Sequence, residues 1–211
     1  PLGKPNDPEY QKWVIRSAFK LFEKSSGPVL EDFSDIIPVK NGRMGYALPV
    51  DLILKVSDIG DVDQLLHEVQ KEVSNLLPDY HKAKVALGRT TVGASEIPIL
   101  DFAPYIAEFA RGKKPKSQRK GLPAVPQLKL VVEDLAAVFT ETRMYLDGID
   151  DFEILGKWFW EETKAGRLLL AVEAVSLESE DKVLRKIAEM SLLTPRFWSE
   201  GPLPGISGSG W

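Results

Sequence analysis

The chain has 211 residues, 44% of them hydrophobic and 27% charged, with a formal net charge of -4. That is enough chain and enough apolar material for a substantial core, and the acidic balance argues against a general nucleic-acid binder. There is no cysteine and there are two histidines, His67 and His81, which excludes disulfides, thiolate nucleophiles, iron–sulfur ligation and histidine-rich metal sites.

The first helix is predicted from "NDPEYQKWVIRSAFKLFEK". Asp7 can cap it and Pro8 suits its first position. Tyr10, Trp13, Val14, Ala18 and Leu21 recur at helical spacing, with Lys12, Arg16, Lys20 and Lys24 largely off that stripe. The helix should stop near Gly27-Pro28. From Pro28 to Pro49 there are too many breakers for a long helix, so an ordered loop or a small hairpin at Asn41-Gly42 is expected. Glu31, Asp32 and Asp35 cluster there. They read as solvated charges or, in a functional reading, as cation ligands or proton-transfer groups.

Residues 61–77 give the clearest helix, with Val62, Leu65, Leu66, Val69, Val73 and Leu76 on one stripe and Asp61 and Gln64 at capping-box spacing. Pro78 should interrupt it, and a second short helix should end at Gly88. "GRTTVGAS" follows, residues 88–95. Gly88, Gly93 and Ser95 match the spacing of a phosphate loop, but Ala94 stands where that loop needs lysine, and no strand pattern precedes it. Two readings stay open. Arg89, Thr90, Thr91 and Ser95 can bind an anion. Alternatively Gly88 ends a helix, Gly93 makes a turn and Ser95 caps the next helix. His81, beside Tyr80, and Glu31 are the candidate proton-transfer groups.

A further helix follows, with Phe102, Ile106 and Phe109 on one face and Pro104 near its regular start. Residues 111–120, "RGKKPKSQRK", hold six basic residues and read as an exposed connector. The expected layout is a helical region 1–110, a connector 111–125, a helical region 126–195 and an extended tail 196–211. In the second region Leu128, Val131, Leu135, Val138 and Phe139 share a face. Phe152, Leu155, Trp158, Phe159 and Trp160 follow, then two helices parted near Ser176–Ser179. Trp160 and the tail residues Phe197, Trp198 and Trp211 are candidate interface anchors. The fold class is therefore mostly α, an irregular assembly of about seven or eight helices with long ordered loops.

No stretch is long and apolar enough for a membrane span, and the N-terminal residues lack the apolar core of a signal peptide. A cytoplasmic location without membrane or nucleic-acid partners is expected. No metal, cofactor or catalytic set is indicated. "NDPEYQKWVIRSAFKLFEKSSGPVLEDFSDIIP" and "GRTTVGASEIPILDFAPYIAEFARG" resemble small bacterial proteins that accompany relatives of component B of the glycine/sarcosine/betaine reductases. The resemblance implies a non-redox accessory subunit whose larger catalytic partner carries the selenocysteine or cysteine. The rival expectation is an independent enzyme or binding protein for an anionic small molecule, using Gly88–Ser95.

Overall fold

A computed structural model describes residues 8–31, 46, 48–190 and 193–195. Among these residues it holds seven α-helices and no strand, as the sequence predicts. The chain divides into two compact units, residues 1–44 and 45–211. The hairpin or loop at Asn41-Gly42, Asp32, Asp35, Phe197, Trp198 and Trp211 lie outside the described residues.

In the first unit, helix α1 runs Pro8–Lys20 and passes into a 3₁₀ turn, Leu21–Glu23. None of its residues is buried. Tyr10 meets Trp13 edge to face at 5.6 Å, and Lys24 pairs with Glu31 at 2.7 Å.

The second unit holds α2 (Val62–Leu87), α3 (Phe102–Ala110), α4 (Ala124–Asp147), α5 (Phe152–Glu162), α6 (Lys164–Leu177) and α7 (Lys182–Glu189). Helix α2 starts at Asp61, whose carboxylate accepts from Asp63 N and Gln64 N, and ends at Gly88 with φ 66°. That left-handed cap suits a residue without Cβ. Pro78 does not interrupt α2. Leu65, Val69 and Val73 before it and Tyr80 and Ala83 after it stay in register on one buried face. Burying those five side chains outweighs the roughly 3 kcal/mol that an interior proline costs.

Helix α3 is the most apolar element: seven of its nine residues are buried, Phe102, Ile106 and Phe109 among them. Its Tyr105 hydroxyl donates to Ala124 O at 3.1 Å, at the start of α4. Burial pushes that phenol up to about 12. Pro104 is the third residue of α3, within the first turn, where a missing N–H costs nothing.

One hydrophobic cluster spans the second unit from Ile59 to Leu193 and takes side chains from both sides of the basic connector. Residues 111–120 therefore strap one core and do not join two. Arg111 pairs with Asp63 and Glu108, Lys114 with Asp181 at 2.6 Å, and Arg119 with Glu96 at 2.9 Å. At the other end of the chain, Pro195 O accepts from Leu48 N at 3.2 Å, and Thr194 donates to the buried Glu173 of α6. Trp160 stacks edge to face on Phe159 at 5.1 Å and packs, half-buried, against the core.

Candidate functional site

The residues from Gly88 to Ile97 form a loop lying on one face of α4. That face is defined by Gln127, Asp134 and Glu141, each seven residues from the next. Seven residues are close to two helical turns, so the three side chains line up along the helix. Gln127 and Asp134 are buried, Glu141 half-buried. Each takes a different stretch of loop.

Asp134, only 1% exposed, holds the middle. Its Oδ1 accepts from Gly93 N at 3.0 Å and Ala94 N at 3.3 Å. Its Oδ2 accepts from Ser95 N at 2.9 Å and Ser95 Oγ at 2.5 Å. Three successive N–H groups converging on one carboxylate make an anion nest. Gly93, at φ 128°, turns the chain so that they converge.

Glu141 holds the outer end. Its Oε2 accepts from Thr90 Oγ1 at 2.6 Å, and its Oε1 accepts from Thr91 N at 2.7 Å and Thr91 Oγ1 at 2.8 Å. Thr90 has one hydroxyl proton and gives it to Glu141, so the Tyr80 hydroxyl, 2.9 Å away, donates to Thr90. Burial raises the Tyr80 phenol above its ordinary value, and the Glu141 and Asp134 carboxylates add to that.

Gln127 holds the inner end and the connector together. Its Nε2 donates to Ser95 O at 3.2 Å, while its Oε1 accepts from Ser117 Oγ and Gln118 N, both at 2.8 Å. Arg119 closes the arrangement. It donates to Ala94 O at 2.8 Å and pairs with Glu96, which sits at φ 59°, in a region costly for a residue with a side chain.

The loop is thus built to hold carboxylates, and α4 supplies them. The Thr90 and Thr91 hydroxyls are directed at Glu141 and the Ser95 hydroxyl at Asp134. An outside anion would have to displace Glu141. Arg89 is exposed beside this clasp. Ser95 does not cap the next helical turn: Pro98 precedes Ile99–Asp101 and no side chain caps it.

His81 is exposed, its ring 5.8 Å from that of Tyr80. It is Tyr80 that reaches the loop. Glu31 belongs to the other unit, paired with Lys24. Among the described residues no three His, Asp or Glu side chains converge as metal ligands, and no helix is long and apolar enough to cross a membrane. A shallow cleft of about 190 Å³ is lined by Gln70, Val73, Ser74, Leu100 and Ala103, below the few hundred Å³ usual for a ligand pocket.

The residues that sequence reasoning missed are Asp134, Glu141 and Gln127. A signal was present: Asp134 stands three residues after Val131 and four before Val138, inside an apolar stripe. A charge in that place needs partners. Comparisons with protein-family models, with curated proteins and with solved structures returned no match to this chain.

Proposed function

We propose that the chain is a non-redox accessory subunit of a heteromeric enzyme, stabilising a larger catalytic partner. The observation that carries this reading is where the loop donors go. All three hydroxyls and four of the amides of 90–95, the most chemically loaded stretch of the sequence, are spent on Asp134 and Glu141. They serve the fold, and Arg89 is the group left at the rim to meet a partner's site.

The corner between α4 and α5 supports the same reading. Leu146, Phe152 and Ile154 are each about half exposed there, within nine residues of chain. Large apolar side chains left this exposed favour a protein partner. In this reading the partner carries the redox cysteine or selenocysteine.

The test is recovery of the tagged chain from its source cells, followed by native mass measurement. A fixed ratio with one larger Cys- or Sec-bearing protein is expected. The double variant Phe152→Glu, Ile154→Glu should lower that recovery several-fold while thermal unfolding stays unchanged. A chain recovered alone, as a stable species with its own turnover, overturns the reading.

A further inference from the structure

Helix α1 carries a second apolar stripe beside the one that the sequence pattern marks out. Ile15, Ala18, Phe19 and Phe22 recur at i, i+3, i+4 and i+7, the spacing by which a helix presents one face to a partner. All four are exposed: Ile15 at 44%, Phe19 at 62%, Phe22 at 86%, and the small Ala18 between them. The Phe19 and Phe22 rings lie 6.3 Å apart, extending the stripe through the 3₁₀ turn. A 13-residue helix with no buried residue is marginal in water unless something covers it.

We propose that a second copy of this chain covers it, with α1 packed antiparallel against α1 about a twofold axis. This inference is independent of the accessory-subunit reading. Its argument is complementarity in size and in charge. One antiparallel register sets Ile15 opposite Phe22 of the second copy and Ala18 opposite Phe19, so each large ring meets a smaller side chain. Lys12 and Arg16 share one edge of the stripe by their α-helical spacing, and Glu23, at the end of the 3₁₀ turn, follows on that flank. In an antiparallel twofold pair, like edges meet. Glu23 of the second copy then falls between Lys12 and Arg16, about 2 to 4 Å along the axis from each at 1.5 Å per residue in α1 and 2.0 Å in the 3₁₀ turn. Symmetry repeats the contact at the other end of the pair.

A parallel pair would bring that charged edge against Gln11 and Ala18, with no opposite charge to meet it. Lys12 already pairs with Glu9 at 3.2 Å. Such an exposed pair is worth little and exchanges at small cost.

Two short helices bury less than the roughly 1,200 Å² of a standard interface, so the dimer is weak and depends on concentration. Sedimentation velocity of the full chain from about 1 μM to about 1 mM should show the 23.5 kDa species giving way to one of twice that mass. Phe19→Glu should weaken dimerisation at least about tenfold.

The charge test is sharper. Glu23→Lys alone, and Lys12→Glu with Arg16→Glu, should each dissociate. An equimolar mixture of the two should recover a heterodimer, because every contact is again between opposite charges. That recovery also keeps the test valid where Phe19→Glu loses the helix. A wild type that stays monomeric across the range overturns the proposal. So does a dimer untouched by Phe19→Glu, or a mixture that fails to associate.

Discussion

Asp134 and Glu141 stand on the same face of the same helix and accept hydrogen bonds from neighbouring stretches of one loop, yet they hold it on different terms. Asp134 is sealed and takes four donors, three of them backbone N–H groups. Glu141 is half in water and takes three, two of them threonine hydroxyls that can turn elsewhere. Water can replace Glu141 but cannot reach the place of Asp134. The value of a carboxylate to a fold therefore depends less on how many bonds it makes than on what its donors would do without it.

Removing the inner carboxylate is the largest disturbance. Asp134→Ala leaves three amides and a hydroxyl without an acceptor. It should cost about 3–4 kcal/mol, or roughly 10 °C in Tm by calorimetry. Asp134→Asn keeps an acceptor and should recover part of that loss. A fully stable Asp134→Ala would mean that the nest is wet, and the contrast between the two sites would vanish.

Glu141→Ala should cost only about 0.5–1 kcal/mol. Amide hydrogen exchange separates the two ends of the loop: Thr91 N–H should exchange faster in this variant while Ser95 N–H keeps its protection. Equal acceleration at both would show the clasp to be a single unit.

The smallest effect extends the comparison to a third carboxylate. Glu72 on α2 accepts from Lys164 N at 2.9 Å and Ala165 N at 3.0 Å, at the start of α6. Burial outweighs those bonds and raises its pKa above 4.5. The folded state therefore holds the proton more tightly than the unfolded chain. Stability from this group should fall as pH rises from about 4.5 through the raised value. Urea unfolding at pH 4 to 7 should show that slope in the wild type and lose it in Glu72→Gln. An unchanged slope would move its origin elsewhere.

Much of this was legible from the chain alone, because apolar spacing reports which face a helix buries. The stripes at Leu65–Val69–Val73, Phe102–Ile106–Phe109 and Leu128–Val131–Leu135–Val138 all became core. Pro78 misled, since a local rule about one missing hydrogen bond says nothing of the five side chains buried around it. The connector shows a different limit of local patterns. Lys113, Lys114, Lys116 and Lys120 are exposed, while Arg111, Lys114 and Arg119 pair with acids 23 to 67 residues away or within one helical turn. The loop was marked out by its Thr90, Thr91 and Ser95 donors, which the fold directs at its own Glu141 and Asp134. Its bound anions lie about 40 to 50 residues downstream, beyond the reach of any local pattern.

The seven-residue ladder on α4 has one more consequence, for the short helix between its two loops. The loop ending at Ile97 precedes α3, and the connector follows it, and both hook onto α4 through Gln127. Helix α3 is therefore fastened at both ends to the same neighbour. It is also the segment whose escape would be most hazardous, since it would release Phe102, Ile106 and Phe109 together as a sticky, nearly uncharged stretch. With both ends tied, such an excursion requires α4 to open as well. Its frequency is set by the cooperative unfolding of the whole body, well below the local fraying expected of a nine-residue helix.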